Sequence, residues 1–276
     1  METKIIDGKK RAEQKKEELK QVVANMKKQP CLAVVLVGNN PASQIYVNHK
    51  IKAAEAVGIN VCLYEKQEAI TQEDLISFIQ ELNQNSKING IIVQLPLPKH
   101  ISSFDVLEVI HPDKDVDGLT SYNLGKLFAG QKGVVPCTPL ACLDLIKQVR
   151  ENLDGLHAVI VGRSCLVGKP LGQLLLAENC TVTQAHSYTK DLPSVCREAD
   201  ILVVAVGKAN LITSDYVKPD AIVIDVGINR MPDGHICGDV DFNSVSKIAG
   251  AITPVPGGVG PMTVFMLMQN VVKATV

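Results

Sequence analysis

Tyr46 and Lys50 stand one helical turn apart in "SQIYVNHKIKAAEAVGI" (43–59), and the patterning of that segment says which way they point. At about 100° per residue, Asn48, Lys52 and Glu55 share one side of a helix, as a solvent face should, while Val47, Ile51 and Ala54 share the other. Lys50 falls on the flank of that apolar stripe, with Tyr46 on the same flank. An amine held there can orient water or carry protons, since apolar surroundings favour the neutral form of a lysine. Two more polar residues sit where strands should end. Gln94 lies in "VQLPLP", where prolines rigidify the exit, and Asp117 lies in the turn-forming "KDVDG". Ligands of α/β sheets bind at such C-terminal strand ends. A Lys, a Gln, a Tyr and an Asp facing one crevice would form a proton-handling site without a metal or a nucleophilic triad. Each also has a plainer explanation: Lys50 could snorkel, Gln94 could cap backbone, and Asp117 could stabilise its own turn.

The elements that must position these residues alternate regularly. Strand-like runs "CLAVVLVG" (31–38), "INVCLYEK" (59–66) and "GIIVQLPLP" (90–98) enclose the helix already quoted and a second one, "TQEDLISFIQELNQN" (71–85), opened by a Thr cap. This βαβαβ order predicts a parallel sheet covered on both faces. From 111 to 140 the pattern turns to Pro, Asp and Gly-rich loop, and "LACLDLIKQVREN" then leads as a helix into a second series. Its clearest strands are "HAVIVG" (157–162), "TVTQAH" (181–186), "ILVVAVG" (201–207) and "AIVIDVG" (221–227). The loop "ITPVPGGVGPMT" (252–263) precedes a final apolar helix. Two α/β units joined near residue 138 is the economical parse.

The second series opens on a candidate phosphate cradle. "VIVGRSCLVGKPLGQLLL" places Gly162, Gly168 and Gly172 between a strand and a helix, with Pro170 suited to the first helical turn. The spacing is wider than G-x-G-x-x-G, yet glycine still permits close backbone approach and a helix N-terminus still attracts pyrophosphate. A purely structural strand-to-helix turn is the alternative. At the tip of the next strand an acidic residue would select a ribose 2′-hydroxyl. This chain has His186, Ser187, Thr189 and Lys190 there, with Arg163 available from the glycine loop. Neutral donors and cations suit a 2′-phosphate and hence NADP; bland surface polarity is the competing reading.

Bulk properties exclude several classes. The 276 residues carry a net charge of −1, which leaves no electrostatic footprint for nucleic acid or an anionic membrane. "GKKRAEQKKEELKQ" near the start alternates Lys with Glu as a solvated helix face does. Neither a signal-like segment nor a run long enough to span a bilayer is present, so a cytoplasmic location is expected. The 8 cysteines include no C-x-x-C and have no clustered histidines, which points to free thiols in a reducing compartment rather than to disulfides or zinc.

Taken together, "VGNNPASQIYVNHKIKAAEAVGI", "GIIVQLPLP", "PDKDVDGL", "VIVGRSCLVGKPLG" and "TPVPGGVGPMT" resemble the bifunctional methylenetetrahydrofolate dehydrogenase/methenyltetrahydrofolate cyclohydrolase family, in order and over essentially the whole chain. The resemblance implies two α/β domains flanking a cleft. Residues 1–138, completed by 262–276, would form the folate-binding catalytic domain, and 139–261 a Rossmann-type parallel-sheet domain for NADP, within a homodimer. It implies oxidation of 5,10-methylenetetrahydrofolate followed by hydrolysis to 10-formyltetrahydrofolate. Tyr46 and Lys50 match the family's Y-x-x-x-K pair, Gln94 the glutamine before L-P-L-P, and Asp117 the second aspartate of D-V-D-G. These four are the expected catalytic set. Leu95, Pro256, Gly257 and Gly258 are expected to border the folate with them. Gly162, Arg163, Ser164, Gly168, Pro170, Ser187, Thr189, Gly207 and Ile228 are expected on the cofactor side. Tyr188 departs from the pattern at a position often basic in relatives, and Ala141 stands where glycine is usual after "CTPL". A dehydrogenase without useful cyclohydrolase activity, or a non-catalytic nucleotide-binding regulator, are the competing functions.

Overall fold

A computed structural model describes residues 3–276. The chain forms two units, one of Glu13–Cys137 with Val264–Val276, the other of the residues up to Ala12 with Thr138–Thr263.

In the first of these, strand Cys31–Val37 is central, with Asn60–Lys66 on one side and Gly90–Val93 on the other, all parallel. Both neighbours are reached through right-length helical crossovers, Pro41–Ala56 and Gln72–Gln84, as parallel pairing requires. The central strand is buried along nearly its whole length because helices cover both faces. Ala33, Val35 and Val37 meet Leu75, Ile79 and Leu82 of the second helix in one continuous core. Thr71 caps that helix, its hydroxyl accepting from Asp74 N–H at 3.1 Å, and Glu73 and Asp74 suit the positive end of its dipole.

The segment read as loop from 111 to 140 contains the helix Ser121–Phe128, started by the Thr120 side chain. Gln94 falls just beyond the strand Gly90–Val93 rather than inside a longer one. The edge of that strand is covered by the 114–116 segment, Ile91 N–H donating to Lys114 C=O at 2.8 Å. Gly90 makes this possible, since a Cβ there would meet Val116 Cγ1 at 2.6 Å.

The other unit is built on a six-stranded sheet in the order Lys4–Ile5, Ala251–Ile252, Ile222–Asp225, Ile201–Val204, His157–Val161, Thr181–Ala185. All its pairings are parallel. Order reverses at His157–Val161, the switch point at which Rossmann-type sheets bind dinucleotides. The strand Lys4–Ile5 bonds to Ala251–Ile252 and so belongs to this unit rather than to the one that follows it in sequence. The final helix, Val259–Lys273, begins inside the Gly/Pro run that reads as loop, with Pro261 in its first turn, where a missing N–H costs nothing. No helix among the described residues is long and apolar enough to cross a membrane.

Candidate active site

The helix Pro41–Ala56 presents Lys50 as its patterning predicts. Val47, Ala53 and Ala54 are buried, while Lys50 is half-buried between them and solvent. Its Nζ donates to Gln94 Oε1 at 3.0 Å, and Gln94 Nε2 donates to Leu95 C=O at 2.6 Å. Gln94 therefore caps backbone and holds the amine at once, its amide fixed by the first bond so that its oxygen faces Lys50. Tyr46 is 42% exposed one turn away on the same helix, which leaves its ring free to meet a ligand.

The two aspartates of "KDVDG" have opposite duties. Asp115, not Asp117, stabilises the turn. It is 1% exposed, and its Oδ1 accepts from the N–H groups of Gly118 and Leu119. Its Oδ2 accepts from Thr120 N–H, the Thr120 hydroxyl and Asn123 Nδ2. Gly118 has φ 72° and no room for a Cβ, which would lie 2.7 Å from Pro136 N. With the loop so fixed, Asp117 is half-buried and faces Lys50 and Cys137. Burial raises its pKa. The Lys50 charge opposes that rise, the Asp115 carboxylate adds to it, and a hydrogen bond from the Cys137 thiol works against it. The Cys137 thiol is itself pushed well above its usual range by burial and by Asp117.

Behind the loop, Asn270 of the final helix donates to Val116 C=O at 2.9 Å and Val135 C=O at 3.2 Å. Lys114 reaches the C-terminal end of the helix Gln72–Gln84, donating to the carbonyls of Leu82, Asn83 and Asn85. The structure thus brings Lys50, Gln94, Leu95 and Asp117 together. Sequence reasoning missed Cys137, Asn270 and Asp115, although Asp115 was within the quoted motif. The turn after it and the helix Ser121–Phe128 that follows, through Gly118, Leu119, Thr120 and Asn123, distinguish the anchoring aspartate from the presented one.

Pro256, Gly257 and Gly258 belong to the other unit. Gly257 C=O accepts from Lys9 N–H at 2.9 Å, and a Cβ on Gly8 would overlap Gly258 C=O, so the loop lies against the start of the first helix.

In that unit the glycine loop has the shape of a phosphate cradle. Gly162 has φ 136°, and a Cβ there would overlap Ala205 C=O; a Cβ on Gly168 would overlap Gly162 C=O. Gly172 has ordinary room and needs no glycine for close approach. The helix Gly168–Ala177 starts without a side-chain cap from Val167, leaving its positive end to a ligand. Arg163, Ser164 and Ser187 are exposed, whereas Pro170 is buried in the first helical turn. The Thr189 hydroxyl accepts from His186 N–H at 2.8 Å, shaping the turn beyond the strand. Tyr188, 80% exposed, has the Arg163 guanidinium 5.6 Å from its ring centroid, so an aromatic ring orients the cation. Gly207 is exposed at φ 64°, and Ile228 is 48% exposed, beyond the two neighbouring strands. These features fit a dinucleotide: backbone open to pyrophosphate, a cation suited to a 2′-phosphate and an exposed apolar side chain beyond the end of a neighbouring strand.

The fold and this cradle define a two-unit α/β protein with a Rossmann-type nucleotide-binding unit and a second unit carrying a lysine-centred polar site. The model of the tetrahydrofolate dehydrogenase/cyclohydrolase catalytic domain matches residues 6–117, and that of the family's NAD(P)-binding domain matches 136–276. The chain is 54% identical over 273 residues to the bifunctional protein FolD of Listeria innocua, covering 98% of this chain and 96% of that one. The FolD methylenetetrahydrofolate dehydrogenase/cyclohydrolase of Campylobacter jejuni superposes with a TM-score of 0.96 at 48% identity, covering 99% and 98%. The Trypanosoma brucei FolD, solved with NADP and an inhibitor, superposes at 0.94 with 36% identity, covering 100% and 98%. This chain belongs to the tetrahydrofolate dehydrogenase/cyclohydrolase family.

Proposed function

We propose that this protein oxidises 5,10-methylenetetrahydrofolate with NADP⁺ and hydrolyses the resulting methenyl cation to 10-formyltetrahydrofolate. The observation that carries the reading is the Lys50 amine held 3.0 Å from Gln94 beside an aspartate whose pKa burial has raised. NADP⁺ would supply the hydride acceptor for the one-carbon unit. The chain's part in that step is alignment. Gly162, Gly168 and Ser164 receive the pyrophosphate. Arg163, steadied by Tyr188, pairs with the 2′-phosphate, and Ser187 adds a donor. Thr189 contributes as well, because a hydroxyl that accepts one hydrogen bond can still donate another.

Hydrolysis requires proton management, because water adds to the methenyl carbon and a C–N bond then breaks. Lys50 orients the water and moves protons during that collapse. Gln94 fixes the amine, and Tyr46 packs and hydrogen-bonds beside it. Asp117 accepts hydrogen bonds from the amino-pyrimidine edge of the pterin, a charge-assisted arrangement when that ring is protonated. Leu95 and the Pro256–Gly258 loop border the folate.

The free edge of strand Asn60–Lys66, with Leu63 39% exposed, supports a homodimer formed there, since an unpaired edge invites a partner. A net charge of −1 speaks against nucleic acid as a partner, and the free cysteines suit the cytoplasm.

The test is an assay of the purified protein with methylenetetrahydrofolate and either NADP⁺ or NAD⁺, following nicotinamide reduction and methenyl decay separately. Reduction preferring NADP⁺, with prompt methenyl decay, is expected. Persistent methenyl-folate would remove the hydrolytic half, and no reduction of either nicotinamide would overturn the dehydrogenase.

A further inference from the structure

Two buried carboxylates in the Rossmann-type unit have no part in the chemistry above, yet they hold the loops at the strand ends on which it depends. Asp225, 3% exposed, closes the strand Ile222–Asp225. Its Oδ1 accepts from Gly227 N–H at 2.9 Å and Asp239 N–H at 3.0 Å, and its Oδ2 from Val240 N–H at 2.9 Å. This fixes Asp239, which is fully buried. Asp239 Oδ2 in turn accepts from the N–H groups of Val206 at 2.7 Å and Gly207 at 2.9 Å. Its Oδ1 accepts from Lys208 N–H at 2.8 Å and Asn229 Nδ2 at 2.9 Å. Two glycines leave room for the pair. A Cβ on Gly238 would overlap Asp225 and one on Gly227 would overlap Asp239.

The bonds converge on the two cofactor-side positions that lie just beyond the C-terminal ends of the strands Ile201–Val204 and Ile222–Asp225. Gly207 is held through its own N–H. Ile228 is held on both sides, through Gly227 to Asp225 and through Asn229 to Asp239, while its side chain stays exposed. The same loop meets the glycine cradle, where Gly162 needs its missing Cβ to approach Ala205.

Resting on the NADP reading, we propose that Asp239, oriented by Asp225, is a positioning residue that presents the Gly207 backbone and the Ile228 side chain to the nicotinamide half of the dinucleotide. A carboxylate is needed because both oxygens face only N–H donors. An amide in its place would turn its own NH₂ toward two of them.

The experiment compares wild type with Asp239→Asn and Asn229→Ala in both half-reactions. Asp239→Asn is expected to raise KM for NADP⁺ and lower dehydrogenase kcat/KM by tenfold or more. Hydrolysis of methenyltetrahydrofolate, supplied without nicotinamide, should stay within twofold of wild type. Asn229→Ala, which removes one donor and keeps the carboxylate, should shift KM for NADP⁺ threefold or more with an unchanged melting temperature. If Asp239→Asn does not fold, Asn229→Ala decides alone. Unchanged NADP⁺ kinetics in the variants overturns the proposal. So does an equal fall of both activities accompanied by a lowered melting temperature, the mark of a merely structural role. A wild-type protein that fails to reduce NADP⁺ would instead overturn the cofactor reading itself.

Discussion

Replacing Lys50 by Met isolates the proton-handling role proposed for its amine from everything else the side chain does. Methionine retains an unbranched stem on the half-buried flank of the helix, so packing against Val47 and Ala54 changes little. What disappears is Nζ and its 3.0 Å bond to Gln94. A hydrogen bond to a charged group contributes about 1.5–3 kcal/mol, so the amide loses that restraint while remaining tied to Leu95 C=O. A positioned acid or base supplies about 10²–10⁴-fold in rate. Hydrolysis of methenyltetrahydrofolate should therefore fall by about 10²–10⁴-fold. Hydride transfer, which asks only for alignment, should fall by no more than about tenfold. A secondary effect has a definite sign. The Lys50 charge restrains the Asp117 pKa, so its removal moves that pKa further up and disfavours the ionised form proposed to anchor the pterin. The assay follows NADPH formation and methenyl decay in the same cuvette. Equal residual rates for the two reactions would refute the assignment of Lys50 to the hydrolytic half.

Asp117→Ala should weaken folate binding and depress both activities together; unchanged folate affinity by isothermal titration calorimetry would remove Asp117 from the site. Asp115→Ala should instead destabilise the fold by on the order of 3 kcal/mol, because it strands several buried donors, and a urea midpoint equal to wild type would contradict that role. Asp225 should titrate with a midpoint at about 6, raised by burial, against which its backbone N–H donors work. Since the folded state then binds its proton more tightly than the unfolded chain, that contribution to stability is complete below the ordinary aspartate range. It is lost as pH rises through 6, by about 3 kcal/mol for this group. Carbon-13 NMR of the side-chain carboxyl reads the midpoint directly, and a value near 4 would show the burial argument to be mistaken.

The strands and long helices were legible because each obeys one period throughout. Ala33, Val35 and Val37 lie in a run too apolar for anything but a doubly covered strand, and Leu75, Ile79 and Leu82 repeat at helical spacing behind a Thr cap. Shorter elements escaped. Ser121–Phe128 is a helix of two turns interrupted by Gly125, held by Thr120 and by Asn123, whose partners lie elsewhere in the chain. The strand Lys4–Ile5 is defined by its bonds to Ala251–Ile252, which no local pattern announces. Within the site, Lys50 was readable as a polar residue on the wrong side of its helix, and Asp117 through the motif that carries it. The division of labour between Asp115 and Asp117 was not, nor was the brace of Asp225 and Asp239. The brace depends on N–H groups distant in sequence, whereas the donors of Asp115 are local, from Gly118 to Asn123, and the folded turn decides which of the two aspartates they close on.

On the function proposed above, the Lys50 amine handles the protons of the one-carbon unit. A crystal structure of the protein with NADP⁺ and a non-reactive folate analogue tests it most directly. Lys50 Nζ should lie within hydrogen-bonding reach, about 3 Å directly or through one water, of the position the one-carbon group occupies, with Gln94 still bonded to it. An ammonium turned to bulk solvent, with the pterin held elsewhere, would contradict it.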